Sequence, residues 1–536
     1  MKNKILALVR NVKIKCSFES ADILDNYATD YAIKILKKSY RGTAFFADAF
    51  VYKKSVDARD RNEIFLVYTI AIPVEYEVSD KKIKGIDFLV SDNNDNLFLT
   101  EKSPKVPPLV AGFGPSGMFC ALALARAGLC PVVIERGADV DERAAAVEKY
   151  WRLGKLDTET NVQFGEGGAG TFSDGKLLTR ISDRLCNYVL SQFVSFGAPK
   201  EIMYLAKPHI GTDNLRIIVK NIRNEIIRLG GRVLFNTKLE SVISDATGGV
   251  RGVVLANGDK MACDSLFLCI GHSARDTVKK LICDRVVVEP KPFSVGLRIE
   301  HLQADIDRSL YGDFAGAPAL GVSQYTLSKK VDGRAVYSFC MCPGGIVVAS
   351  ASNNGQIVTN GMSNYARDGL NANSAIAVSV NPQDYGNTVS GAIDFQESIE
   401  NKAYLVGGNN GAAPIQLLGD FMNGVLKNAP SRIIPTYTGK TSLQNADDVF
   451  PSFITKCLRQ GISLFEKDIE GFNVTDAVLT FPETRTSSPV KIPRDTDYLA
   501  IGFSNLYPCG EGAGYAGGIT SAAVDGLRAA IAYLNN

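Results

Sequence analysis

Apolar positions recur with two different periods in the first hundred residues. Val12-Lys13-Ile14-Lys15 alternates, which predicts a strand, and the short apolar run Ile5 to Val9 reads as its beginning. Ile23, Leu24, Tyr27, Tyr31, Ile35 and Leu36 recur at helical spacing, which predicts a helix over 20–38 with Ser20 as its N-cap. Two further apolar runs, 45–53 and 64–74, predict strands joined by the charged turn Asp57-Ala58-Arg59-Asp60-Arg61. The polar stretch Ser91-Asp92-Asn93-Asn94-Asp95-Asn96 and the linker-like Ser103-Pro104-Lys105-Val106-Pro107-Pro108 then place a domain boundary.

Beyond Pro108 the pattern becomes α/β. Leu109-Val110-Ala111 predicts a short buried strand, 116–127 an Ala/Leu-rich helix ended by Gly128, and 131–135 a second buried strand, together one βαβ unit. An amphipathic helix over 215–229 leads through Gly230-Gly231 into a strand over 232–236. Strands follow at 239–243, 250–255 and 265–270, with a turn at Asn257-Gly258. Residues 290–494 hold many short β-like runs between Gly/Asn-rich turns. The stretch 506–533 returns to strand, glycine loop and helix.

Length and composition narrow the class. At roughly 150 residues per domain, 536 residues imply three or four domains, or one large α/β domain with insertions. With 59 basic and 57 acidic residues, the net charge of +2 gives no electrostatic case for bulk nucleic-acid or membrane-surface binding. No run reaches the roughly 18 apolar residues of a membrane span, and Arg10 interrupts the N-terminal apolar run too early for a signal peptide. Eleven scattered cysteines without a CxxC pair favour reduced thiols and a cytoplasmic location. Three histidines, none at zinc spacing, leave no metal site to expect.

The strongest chemical signal is Gly112-Phe113-Gly114-Pro115-Ser116-Gly117, a GxGxxG between a strand and a helix. Gly112 permits the tight turn, Gly114 lets backbone approach a pyrophosphate, and Gly117 lets helix and strand pack closely. The helix N-terminus adds free N–H groups and a positive dipole end. Glu135, 23 residues after Gly112, stands where a carboxylate reaches the ribose hydroxyls, which favours FAD or NAD over NADP. Two more glycine-rich loops follow. Residues 161–176 carry Gly170 and Thr171. Residues 507–519 precede a small-residue helix; either its N-terminus stabilises negative charge on a reduced flavin while Glu511 accepts hydrogen bonds from ribityl hydroxyls, or the loop is a tight helix–strand packing turn.

These motifs, with Glu135-Arg136 and Cys269-Ile270-Gly271-His272, resemble the FAD-binding fold of glutathione-reductase type. QFGEGGAGTFSDGKL, IGHSARDT, CMCPGG, ETRTSSP and GEGAGYAGGI resemble more closely the bacterial FAD-dependent, "NAD(FAD)-utilising" dehydrogenases, over nearly the whole chain. The resemblance implies an α/β fold with a Rossmann-like FAD-binding domain, an inserted mixed α+β substrate domain and an N-terminal α+β domain. Their expected extents are 1–103 for the N-terminal domain, 104–290 and 495–536 for the discontinuous FAD domain, and 291–494 for the insertion. It implies that Gly112, Gly114, Pro115, Ser116, Gly117, Glu135 and Arg136 face the ADP half. Gly170, Thr171 and Gly271 would lie near the cofactor, and Gly510, Glu511, Gly518 and Ile519 would hold the ribityl chain and pyrimidine edge.

No separate NAD(P)H domain with its own fingerprint and no CxxxxC pair is evident, so NAD(P)H, if it is the donor, binds transiently near the flavin. The substrate side is less determined. Cys340 and Cys342 form a redox pair, supply a nucleophile, or are two small apolar strand residues. Arg485, assisted by Arg494, clamps a substrate carboxylate or phosphate, or this junction carries a structural pair between Glu483 and an arginine. His272 and His301 are candidate acids or bases near neutral pH, or structural residues. The expected activity is hydride or electron transfer between a small-molecule substrate and FAD. The alternatives are a flavoprotein acting on tRNA, for which Lys37-Lys38 and Lys279-Lys280 are too little of a basic groove, and a non-catalytic FAD-binding protein.

Overall fold

A computed structural model describes residues 5–75, 83–90 and 97–536; the polar stretch Ser91–Asn96 and the first four residues lie outside the described ones. The chain divides into two units. One draws on Met1–Asn96, Pro199–Pro208 and Gln303–Ser323; the other on Leu97–Ala198, His209–Leu302 and Gln324–Asn536.

The first unit is an antiparallel sheet in the order Phe50–Asp57, Phe65–Val74, Ile5–Lys15, Ile86–Val90. Helix Ala21–Ser39 buries Leu24, Ala28, Ala32 and Leu36 in the core that contains Ile70 and Ile72. This i, i+4 row corrects the apolar stripe read from the sequence, because Ile23, Tyr27 and Tyr31 are exposed. Alanine in the row allows close approach of the helix, which the tyrosines would prevent. Ser20 occupies the N-cap without a side-chain cap hydrogen bond. The strand expected at 45–53 begins only at Phe50, since Phe46–Asp48 forms a short 3-10 turn, and it runs on through Asp57. Lys54 N donates to Tyr204 O at 2.8 Å, and Arg61 donates to Ser309 O at 3.1 Å. Later segments thus return to this unit without any linker composition announcing it.

The second unit contains two large sheets. The first is parallel, in the order Leu506–Pro508, Leu266–Leu268, Leu109–Ala111, Val132–Ile134, Arg232–Leu234. Its strands are short apolar runs, as expected where helices cover both faces. The last strand in the chain pairs with Leu266–Leu268, and helix Ile519–Asn535 packs on the fingerprint helix Pro115–Arg126. The second sheet has seven strands, in the order Ser328–Val331, Arg334–Cys342, Asn371–Val380, Phe293–Leu302, Val478–Glu483, Ala413–Leu417, Thr441–Leu443. A small ribbon, Glu289–Pro290 against Val490–Lys491, holds the chain's departure to this sheet beside its return. Phe293–Leu302 is buried on both faces, so Arg298, Glu300 and His301 all lie within the protein.

Candidate functional site

The three fingerprint glycines meet three different steric demands. Gly112 has φ +101°, and a Cβ there would run into the backbone of Cys269 and Ile270. A Cβ at Gly117 would collide with the Gly112 carbonyl, so this position sets how closely helix and strand pack. Gly114, the N-cap, has ordinary extended dihedrals (φ −79°, ψ −174°), and a Cβ there would meet only Gly168 Cα, at 3.6 Å. It therefore lines a cavity, together with Pro115 and Ser116. No side chain caps this helix.

Glu135 closes one end of the cavity. Its carboxylate accepts Phe113 N at 2.8 Å, Gly165 N at 2.9 Å and Gly137 N at 3.0 Å. It thus ties the fingerprint turn to the second glycine loop, a structural duty absent from the sequence reading. A carboxylate has about four acceptor sites, so one stays open to a ligand hydroxyl. Arg136 also lines the cavity, but its fork is engaged by Glu159 at 2.7 Å and Asp276 at 2.9 Å, and it stacks on Phe164.

The second glycine loop is braced from below by Arg143. This fully buried side chain donates to the carbonyls of Asn161 (2.9 Å), Val162 (3.0 Å) and Glu166 (2.6 Å). Gly165, Gly168 and Gly170 form the cavity wall. Thr171 lies behind it instead, donating to Glu166 O at 3.3 Å and accepting from Thr212 at 2.6 Å. At the C-terminal helix, Glu511, Gly517, Gly518 and Ile519 line the cavity, and Gly271 joins from the strand end. A Cβ at Gly271, Gly517 or Gly518 would meet open space. Gly510 packs against Ser116 and, like Gly117, stands behind the wall.

Burial pushes the Glu511 carboxyl up to about 7, with Lys291 opposing. A carboxyl whose folded value exceeds its unfolded one contributes stability below the ordinary range, and this is lost as pH rises through about 7. Glu511→Gln is therefore expected to match wild type in thermal midpoint near pH 5 and to exceed it by several degrees near pH 8. Superimposable midpoint-against-pH curves would show that Glu511 carries no such penalty.

The seven-stranded sheet supplies most of the opposite wall, Phe339, Cys340, Glu483 and, just past it, Arg485 and Thr486, and Asn360 joins from the two-stranded ribbon of Ile346–Ala349 and Thr359–Met362. Arg298 organises this wall. It pairs bidentately with Glu483 (2.6 and 2.9 Å) and donates to Asn373 (2.6 Å), Asn360 (3.2 Å) and the Cys340 carbonyl (3.2 Å). Glu483 is thus the buried structural partner of an arginine. Arg485 reaches the cavity, yet most of its fork is spent on Glu400 (3.1 and 3.2 Å), Ser352 (2.5 Å) and Gln356 (3.3 Å). Glu400 also holds Arg275 bidentately at 2.8 Å. This corrects Arg485 as a free clamp. Arg494 is spent on Asp525 at 2.5 Å and takes no part in the Arg485 cluster.

His272 lines the cavity, with its Nδ1 2.8 Å from Ser273 Oγ. Burial, helped by the charges of Arg485 and Arg275, pulls its pKa down to about 3. The ring stays neutral between about pH 5 and 8, so the expectation of a titrating acid–base near neutrality is corrected. His301 lies elsewhere, with Nε2 2.8 Å from Phe472 O and its ring against Phe472, within the packing of the second sheet. Cys342 is completely buried beneath Cys340.

Residues 292–486, the region of the seven-stranded sheet, match a family described as FAD-dependent protein, C-terminal domain-like. An uncharacterised protein of Clostridium beijerinckii is 45% identical over 504 residues, covering 93% of this chain and 94% of that protein. The chain belongs to this family of FAD-dependent proteins. Solved structures are more distant. Halogenase PltM, solved with ethyl mercury and mercury, has a TM-score of 0.37 and 11% identity over 81% of this chain and 68% of that one. THI4 of Thermovibrio ammonificans has a TM-score of 0.23 and 14% identity over 34% of this chain, which spans 63% of that chain.

The cavity of this flavoprotein suits a long dinucleotide. Glycine backbone forms its walls at positions 112, 114, 168, 170, 517 and 518. An uncapped helix N-terminus and a carboxylate with one open acceptor site complete the donor and acceptor set. Among the described residues no cluster of His, Cys, Asp and Glu could hold a metal ion, and no helix is long and apolar enough to cross a membrane.

Proposed function

We propose that this chain is an FAD-dependent oxidoreductase that moves a hydride between a small-molecule substrate and its flavin. The observation that carries this reading is the extent of the cavity. It runs from Glu135 and the fingerprint to Phe339 and Cys340 on the second sheet, within one unit. When bound, the flavin supplies reversible hydride acceptance. Glu135 would accept a ribose hydroxyl, and Gly114 with its helix N-terminus would face the pyrophosphate. Gly170, Gly518 and Ile519 would flank the ring end, with Glu511 holding a proton within reach near neutrality. Neutral His272 would orient polar groups without adding charge. The second sheet would keep water from the reacting face. A transient NAD(P)H donor would share this cavity, and the free cysteines are in keeping with a cytoplasmic setting.

The test is spectroscopic. Purified protein is expected to carry, or take up, stoichiometric FAD, and NADH, NADPH or a reducing substrate added without oxygen is expected to bleach its visible band. A protein that takes up no FAD would overturn the cofactor assignment. A bound flavin that no donor reduces would favour a non-catalytic role.

A further inference from the structure

The flavin reading leaves the Cys340-Met341-Cys342 sequence unused. Strand Arg334–Cys342 sets Phe339 opposite Ala375 and Cys342 opposite Asn373, so it carries one extra residue there, a bulge. Within the bulge Cys340 takes φ +44°, a left-handed conformation that a side-chain-bearing residue keeps only where its surroundings impose it. Two cations stand nearby, Arg298, itself paired with Glu483, and Lys176. Arg298 donates to the Cys340 carbonyl at 3.2 Å and stands 4.0 Å from Cys342 Sγ, and Lys176 donates to the Met341 carbonyl.

The two thiols are placed unequally. Cys340 opens on the cavity, whereas Cys342 lies beneath it and donates to the Cys340 carbonyl at 3.2 Å. Contact with the Cys342 thiol, with the charges of Arg298 and Lys176, lowers the Cys340 pKa against the opposing effects of burial and the Asp174 carboxylate. The same contact and burial keep Cys342 protonated. Cys269 and Cys509 also border the cavity, but burial raises the Cys509 thiol far above its ordinary range. The bulged strand thus presents one cavity-facing sulfur of lowered pKa with a second thiol behind it, the arrangement thiol–disulfide exchange requires.

We infer that Cys340 and Cys342 form a thiol–disulfide couple that exchanges electrons with the flavin; the inference rests on the FAD reading above. In the oxidising direction the Cys340 thiolate joins Cys342. The Sγ–Sγ bond forms and the Cys342 S–H bond breaks. Two electrons and that proton pass to an oxidised flavin, giving its reduced anion, so atoms and charge balance. In reverse, flavin reduced by a donor opens the disulfide, and the couple passes the electrons to a disulfide or another two-electron acceptor reaching the cavity.

The test uses oxidised, FAD-loaded protein titrated anaerobically with dithionite, with differential alkylation and peptide mapping at each end point. Wild type is expected to consume electrons for one flavin plus one disulfide. Cys340 and Cys342 should be joined in the oxidised protein and alkylated in the reduced one. Cys340→Ser and Cys342→Ser should each consume electrons for the flavin alone. Wild type that retains FAD but takes up only the flavin's electrons overturns the couple and leaves the cofactor reading intact. Cross-linking of Cys269 to Cys509 in its place also overturns it. Failure to bind FAD overturns both readings. The wild-type electron count and peptide map decide the matter even if a serine variant does not fold.

Discussion

Gly114→Val is expected to give a folded protein that no longer retains FAD. The position tolerates a side chain in the protein itself. Its dihedrals are extended, as the following proline requires, and they suit a β-branched residue. The added Cβ would make an ordinary contact with Gly168 Cα at 3.6 Å. The hydrogen bond from Met118 N to Gly114 O, which opens the helix, needs no side chain. What valine does occupy is cavity space between the fingerprint and the second glycine loop. Methyl groups forced against a bound pyrophosphate cost about 2–3 kcal/mol, roughly 100-fold in affinity. Gly112→Ala gives the contrast, because there the backbone of Cys269 blocks a Cβ and the fold itself suffers. Circular dichroism melts and FAD retained through gel filtration separate the two effects. A Gly114→Val protein that keeps its flavin would place the phosphates elsewhere.

This contrast explains why the fingerprint end of the cavity was legible in the sequence and the opposite wall was not. Gly112, Gly117 and Glu135 act within a single βαβ unit, where spacing along the chain is nearly spacing in the fold. Their requirements leave a local signature of residue types. The seven-stranded sheet has no such shortcut. Arg298 meets Glu483 across 185 residues, and Arg275 meets Glu400 across 125. In the sequence a buried arginine reads the same as a surface one. Arg143, which braces the second glycine loop, was silent for that reason. His272 shows the same limit in its chemistry. A lone imidazole suggests titration near neutrality, and only the folded chain buries it, with two guanidiniums nearby, so that it stays uncharged. The first unit repeats the lesson at smaller scale. Helical spacing identified Ala21–Ser39, but tyrosines outweighed alanines in the choice of buried face, whereas close packing on the sheet selects the alanines.

The largest stability effect is expected from Glu400→Gln. Glu400 is fully buried between Arg275 and Arg485 and also accepts Thr484 Oγ1 at 2.6 Å. Glutamine has nearly the same shape but no charge, so both guanidiniums lose their principal counter-ion inside the protein. Breaking a buried ion pair from one side costs about 3–5 kcal/mol. The pH dependence identifies the cause. The two arginines hold the Glu400 carboxyl down at about 2 despite burial. Its contribution is therefore complete above the ordinary carboxyl range and is lost as pH falls towards about 2. The urea midpoint of the variant should lie well below wild type at pH 7, with the gap closing in acid. An unchanged midpoint at pH 7 would mean that Glu397, 3.7 Å from Arg275, or water takes over as partner. A gap that persists undiminished in acid would point to lost packing instead of lost charge. Because Arg485 belongs to both this cluster and the cavity wall, the same substitution frees a cation at the cavity. Any gain in affinity for anionic substrates would then appear together with the loss of stability.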